Sequence, residues 1–427
     1  MRERGRIALV LGLGQALGRG GIAVYTVVMV RVLSQAEYGD FALAVAISAI
    51  ASSLADVGFS RLIVRDVARA QEKPGLVRDL MRVRFLGVAA VAVLVTLAGL
   101  IGVLPFDAAV SAGLIAFLTG EAISFGYESA AVATERPWRF TFVQALGTVL
   151  LAVAVVLVAS ADRPDPALAL AGLGAASCLK ALVHAVLWRR LARSRGPALR
   201  ALPVRHWVRQ AFPFLALAIL ATLYYRLGIV ILHVGRGAEE TAPFAAALRV
   251  MDAFALIGYV GFSVVSPALS RAHRDRPEDL WRLWKRMMRT AAAAVVPLAV
   301  LIALTAEDVA RILFGDRYAE SAGGVLRLLA PGIAFMLLQN LSVAVVLMGA
   351  DTRSVVKLTV ATVTANLALA VVLSSAAGAD GVAVATSAAE LISFTAFALL
   401  IRRRYATGRP AGSGTVPGVR TLPALDP

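Results

Sequence analysis

The sequence predicts an all-α polytopic membrane protein of twelve transmembrane helices arranged as two pseudo-symmetric six-helix lobes, and three observations predict it. The chain alternates long apolar stretches with short charged ones, its Lys and Arg fall almost entirely on every second connection, and one pattern of residues returns 203 positions later.

The apolar stretches come first. Of the 427 residues 59% are hydrophobic and only 16% charged, with a mean hydropathy of +0.77, more apolar surface than a soluble core can hide. A helix needs roughly 20 apolar residues to cross about 30 Å of hydrocarbon. Twelve stretches qualify, centred in about 7–33, 38–60, 84–104, 107–133, 138–160, 166–188, 211–234, 243–267, 288–306, 321–349, 355–374 and 380–401. Period-two alternation, the mark of a membrane β-barrel, is not seen. The N-terminus carries a basic start and an apolar run like a signal peptide, but the run continues to about Leu33 without a small-residue cleavage site, so it reads as a retained first span.

The charge follows the spans. The net charge of +16 raises the question of nucleic acid, but the basic residues sit in short connections and form no basic domain. Of the 43 Lys and Arg, 33 lie at the termini or after spans 2, 4, 6, 8 and 10, five lie on the other connections (Arg31, Arg163, Arg236, Arg311, Arg317) and five lie within spans. By the positive-inside rule the basic connections and both termini face the cytoplasm.

The repeat gives the halves. Val57-Gly58-Phe59-Ser60 returns as Val260-Gly261-Phe262-Ser263, Glu37 and Phe41 fall on Glu240 and Phe244, and Lys73-Pro74 on Arg276-Pro277. The division expected is an N-terminal lobe over 1–195, a basic cytoplasmic linker over 196–210, a C-terminal lobe over 211–405 and a disordered tail over 406–427. The segments 61–84 and 277–289 have basic residues opposite an apolar face (Leu280, Trp284 and Met287 in the second), which predicts helices lying on the inner membrane surface. Outer connections are short, the longest being about 307–320, so a folded outer domain is not expected.

Function is sought among charged residues inside spans, because each costs about 2.5–3.5 kcal/mol to insert at a helix centre and is usually kept for a wet cavity or a partner. The basic set is Arg19, Lys180, Arg226, Arg249 and Arg327; the acidic set is Glu121, Glu128, Asp252 and Glu390, with Asp56 near the end of span 2. Spacing groups them: Gln15, Arg19 and Thr26 on span 1, where Gly18-Arg19-Gly20-Gly21 would let the helix bend; Glu121, Ser124 and Glu128 on span 4; Lys180 with His184; Arg249 with Asp252; Thr359, Thr362 and Asn366 on span 11; Thr386, Glu390 and Ser393 on span 12. Arg19 and Arg226 lack an opposite charge within a turn of their own helix and are the leading cavity candidates. The residues give no catalytic pair, no metal-ligand cluster, no nucleotide loop and no cofactor site, and the lone Cys178 forbids an internal disulfide.

Glu37-Tyr38-Gly39, Leu54-Ala55-Asp56-Val57-Gly58-Phe59 and Leu62-Ile63-Val64-Arg65-Asp66-Val67-Ala68-Arg69, with Tyr224-Tyr225-Arg226-Leu227-Gly228 and Phe244-Ala245-Ala246-Ala247-Leu248-Arg249 in the second half, resemble the motifs of the polysaccharide transporter (Wzx-type) flippases of the multidrug/oligosaccharidyl-lipid/polysaccharide exporter superfamily. Gly228 departs from the Asp common there, and twelve spans rather than fourteen make the chain less like the peptidoglycan lipid II flippases. The resemblance implies a MATE-like V of two lobes around a central cavity, in a bacterial inner membrane. It implies a transporter rather than an enzyme, which carries polyprenyl-diphosphate-linked oligosaccharide outward and works beside the glycan polymerase and glycosyltransferases of the same pathway. Diphosphate would meet Arg19, Arg226, Arg249 and Lys180, while Gln15, Glu121, Glu128, Asp252, Glu390 and Asn366 would meet sugar or a coupling ion. A cation or drug antiporter of the same superfamily and a membrane glycan polymerase or ligase are the alternatives.

Overall fold

A computed structural model describes residues 2–56, 73–133, 137–192, 204–275, 280–348 and 352–406. The repeated tetrapeptide at 57–60, the surface segment over 61–72, most of the linker and the tail lie outside the described residues. Among the described residues the chain is helical throughout: α1 Arg2–Val32, α2 Gln35–Asp56, α3 Lys73–Leu100, α4 Ala108–Ala133, α5 Pro137–Ala159, α6 Pro166–Ala192, α7 Val204–Arg236, α8 Ala238–Asp275, α9 Leu280–Leu304, the short α10 Ala306–Phe314, α11 Ala319–Met348 and α12 Thr352–Tyr405.

Eleven helical segments are long and apolar enough to span a membrane, and the last, Ser354–Tyr405, holds two crossings. Its 52 residues would run about 78 Å as one straight helix, more than twice the hydrocarbon thickness. Instead the backbone leaves helical geometry at Ala377 and Gly378, the latter at φ +54°, and folds back until a Cβ on Gly381 would stand 1.9 Å from the carbonyl oxygen of Leu373. Glycine is needed at 378 because other residues rarely take positive φ. The twelve predicted crossings are therefore all present.

The two halves repeat one packing scheme. In the first, α1 lies against α5 and α4 against α6, and Cys178 of α6 meets the carbonyl of Ala116 of α4. In the second, α7 lies against the first arm of α12 through the Asn366 side chain on the Tyr224 carbonyl, and α11 against the second arm through Ser387 on the Leu328 carbonyl.

Two local expectations change. Helix α1 runs unbroken through Gly18-Arg19-Gly20-Gly21, because Gly18 is used for close approach to α5: a Cβ there would fall 2.2 Å from Gln144 Oε1. Thr141 and Thr148 of α5 also donate to the Val10 and Leu17 carbonyls, so the seam is stitched by hydrogen bonds between small residues. The segment 280–289 is the first part of α9, continuous with a span. Its apolar face packs inward: Leu280 and Trp284 are buried with Leu269, Val345 and Phe397, and Trp284 Nε1 donates to Ser342 Oγ at 3.2 Å.

The halves meet at the end of the bundle poor in Lys and Arg, where α2 packs on α7 and α8. Tyr38, Phe41, Phe244, Phe314 and Tyr318 are all buried there, with Tyr38 edge-on to Tyr318. Gly39 lets the backbones touch, since a Cβ on it would stand 2.0 Å from the Ala238 carbonyl oxygen. Arg31 donates to the carbonyls of Leu313 (3.0 Å) and Ile312, Arg317 to that of Leu33 (3.0 Å) and Gln35 to that of Glu239 (3.0 Å), while His233 lies 3.5 Å from Asp40. These hydrogen bonds and the approach of His233 to Asp40 join the two halves at this seal.

Candidate functional site

Both halves carry a charge cluster at mid-depth. Lys180, Glu121, Arg226, Arg249 and Arg19 each lie about ten to fourteen residues from the sparse end of their helix, or roughly 15–21 Å at 1.5 Å per residue. These five side chains lie on five different helices, which is why spacing along one helix could not pair them.

In the first half two carboxylates share one ammonium. Lys180 of α6 donates to Glu121 of α4 at 2.7 Å and stands 3.7 Å from Glu128, on the same helix face at i, i+7. Ser177 adds a 2.9 Å hydrogen bond to Glu121. Gln144 of α5 faces Glu128, and Arg19 of α1, although exposed, is close enough to Glu128 to act on it electrostatically. Gly18, Glu121, Gln144, Ser177 and Lys180 line a pocket of about 10 Å³, room for roughly one water molecule. Gln15 is on α1 one turn from Arg19, its side-chain oxygen buried without a hydrogen-bond partner.

The second half inverts the ratio, with two guanidinium groups on one carboxylate. Arg226 of α7 grips Asp252 of α8 with two hydrogen bonds, 3.1 and 3.3 Å, and Arg249 reaches the same carboxylate at 3.2 Å. Tyr38 of α2, in the other half, is buried against Arg249, so this cluster sits at the base of the seal. The pairing of Arg249 with Asp252 was visible in their spacing; that of Arg226 with Asp252 was not, because its partner is 26 residues away on another helix. Gly228, where the resembling family has Asp, leaves no room for a larger group, since a Cβ would meet Val382 at 2.9 Å and the Phe244 ring at 3.1 Å. The carboxylate paired with Arg226 comes from α8 instead.

Glu390 and Asn366 form a third, deeper group inside α12. Glu390 is 0% exposed, and the Tyr224 hydroxyl faces it without closing a hydrogen bond. Asn366 uses its amide nitrogen on the Tyr224 carbonyl at 3.1 Å and leaves its oxygen unpaired. Thr359, Thr362 and Thr386 instead bond carbonyls four residues back in their own helices. Arg327 lies near the sparse end, paired with Glu307 at 2.8 Å. Asp56 is buried in an ion pair with Arg84, which also lies 5.7 Å over the Phe125 ring.

The residues that close the seal were not singled out from sequence. The signal was present all the same. Arg31, Arg236 and Arg317 are three of the five basic residues on the connections poor in Lys and Arg, and each is spent on main-chain carbonyls; Arg31 and Arg317 cross the seal, while Arg236 holds those of Ser374 and Ser375 in its own half at 3.1 and 2.5 Å.

Among solved structures, the lipid II flippase MurJ in an inward closed conformation superposes with a TM-score of 0.71 at 14% identity, over 93% of this chain and 87% of that one. An inward-facing multidrug resistance MATE family transporter of the MOP superfamily gives 0.69 at 15% identity, over 92% and 95%. A MOP superfamily transporter from Pyrococcus furiosus, described as having a binding pocket of reverse polarity, gives 0.68 at 13%, over 94% and 95%. At such identities the likeness establishes the fold, a MATE-like membrane transporter fold. No curated protein matches the sequence. A lipid II flippase MurJ family model matches residues 241–417. The model described as "Polysaccharide biosynthesis protein" matches residues 28–323, more than half of the sequence, and the chain belongs to that family.

Proposed function

We propose that this protein is a flippase that carries a polyprenyl-diphosphate-linked oligosaccharide from the inner to the outer leaflet, for cell-surface polysaccharide synthesis. The observation that carries the reading is the pair Arg226 and Arg249 on a single carboxylate at mid-depth beside the seal. Two cations on one anion leave positive charge in excess, and a diphosphate offers oxygens in the geometry that guanidinium groups bind in pairs. The prenyl tail stays in lipid while the head occupies the cleft.

The basic end faces the cytoplasm in this reading, so a seal at the opposite end corresponds to an inward-open state, ready to load from the inner leaflet. Export of a dianion from a negative-inside cell is favoured by about 4–5 kcal/mol per 100 mV if both charges cross. Arg19 and Lys180 act differently from Arg226. They neutralise Glu121 and Glu128, and that half contacts sugar or a coupling ion.

The test is translocation of a fluorescent lipid-linked oligosaccharide in proteoliposomes. Arg226→Ala is expected to abolish transport in a variant that still elutes as folded protein; an unchanged rate removes the diphosphate assignment. A cation antiporter is the second reading, favoured by the two carboxylates, Glu121 and Glu128, gathered around Lys180, and cation efflux without transport of the lipid-linked sugar would establish it.

A further inference from the structure

At the base of the seal a polar atom of each half is buried against the other. Among the described residues, the Tyr38 hydroxyl of α2 and the Arg249 Nε–H of α8 are both buried without a closed hydrogen bond. Tyr38 stands against Arg249 all the same, with Asp252 and Arg226 within electrostatic reach of its hydroxyl. Buried polar groups are almost always paired in native structures, and a guanidinium N–H can only donate. The tyrosine oxygen is the acceptor that the other half brings to Arg249.

Other contacts hold both side chains in place. Arg249 Nη1 donates to Asp252 at 3.2 Å, which keeps the guanidinium in the charge cluster. The Tyr38 ring lies between Phe41, at 6.0 Å, and the edge of Tyr318, at 6.5 Å. Its helix starts in a capping box that fixes the first turn: the Ser34 N–H donates to Glu37 at 2.8 Å and the Glu37 N–H to Ser34 Oγ at 3.3 Å. The next residue, Gly39, is the one that touches the Ala238 backbone of the opposite half. The repeat does not reproduce the contact. Thr241 occupies the position 203 residues after Tyr38, and its hydroxyl is spent on the Gly237 carbonyl of its own half at 2.7 Å.

A guanidinium binds a phosphate best through two N–H groups on one edge. With Nη1 of Arg249 on Asp252, the edge left for an oxyanion is that of Nε and Nη2. An anion that takes it competes with Tyr38 for the same guanidinium.

We propose that the Tyr38 hydroxyl is the latch that connects the Arg226 and Arg249 site to the seal. In the sealed state it shares Arg249 with Asp252; a diphosphate that draws Arg249 toward the cleft releases it, and the halves part at α2. Tyr38 is a positioning residue, acting on the substrate through Arg249. The latch rests on the diphosphate reading of this site and adds the route by which occupancy at mid-depth reaches the closed end. Coupling between two sites is reciprocal, so an anion that must displace Tyr38 binds more weakly than one that need not.

The experiment uses the full chain in lipid nanodiscs and Tyr38→Phe, which removes the hydroxyl and keeps the ring. Spin labels at exposed Ile101 and Val234, one in each half, in a Cys178→Ala background, report the seal, and titration calorimetry with inorganic pyrophosphate reports the anion site. Without pyrophosphate, Tyr38→Phe is expected to raise the unsealed fraction about tenfold, the effect of losing a hydrogen bond to a charged group. Pyrophosphate is expected to unseal the parent protein, and to bind Tyr38→Phe about tenfold more tightly while shifting its distances less. Arg249→Lys keeps a cation near Asp252 but has no Nε–H, so the double variant should be no more unsealed than either single one. An unchanged unsealed fraction in Tyr38→Phe, additive effects in the double variant, or weaker pyrophosphate binding by Tyr38→Phe overturns the latch. Pyrophosphate that binds neither protein overturns the diphosphate reading instead, and the label distances of the single and double variants still decide whether Tyr38 holds the seal through Arg249.

Discussion

Replacing Gly39 with Ala should open the seal between the halves. An added Cβ would stand 2.0 Å from the Ala238 carbonyl oxygen and 2.6 Å from its carbon, where real Cβ contacts stay beyond 3.0 Å. The obstacle is backbone of the opposite half, not a side chain able to rotate away, so α2 and α8 must separate by about 1 Å. Overpacking of this kind costs about 1–3 kcal/mol, and it is charged only to the sealed state. That amounts to a roughly 5–150-fold shift toward an unsealed conformation. Ala is also the better helix former, so overall stability should hold. Spin labels at Ile101 and Val234, both exposed near this end, in a Cys178→Ala background, would report the change as a longer component in the distance distribution. Identical distributions with Gly39 and with Ala would refute the claim that this contact sets the closed geometry.

Arg31→Ala with Arg317→Ala removes the guanidinium bonds to the Ile312, Leu313 and Leu33 carbonyls and should favour the same unsealed state by about 2–4 kcal/mol, seen with the same labels. Asp252→Ala leaves Arg226 and Arg249 side by side without their shared carboxylate; stability should fall by about 3–5 kcal/mol, measured as denaturant or thermal unfolding in detergent, and more than for Arg226→Ala, which leaves Asp252 paired with Arg249. Gly378→Ala forces a side chain onto a backbone at φ +54° and into the Glu240 carboxylate, so it should lower Tm by more than a replacement at exposed Gly12, where an added Cβ meets nothing.

Each crossing could be read from sequence because insertion is decided locally: a run of about 20 apolar residues crosses whatever its neighbours do, and the charge of each connection orients it. Even the crossing hidden inside α12 was marked, by Ser374-Ser375-Ala376-Ala377-Gly378 between two apolar runs. The residues at mid-depth were legible for the same reason, as charges standing where charge is expensive.

Their partners were legible only within one helix. Arg249 and Asp252 are three residues apart, and spacing pairs them; Arg226 finds Asp252, Lys180 finds Glu121 and Arg31 finds Leu313 only once separate helices pack side by side. Those contacts depend on which faces small residues such as Gly18 and Gly39 allow to approach, a property of two surfaces together that neither stretch of sequence contains alone. The sequence by itself thus determined the number and order of the spans, and where charge would be buried. Tertiary packing decided which charges neutralise one another and at which end the two halves close, because both depend on surfaces meeting across long sequence separations.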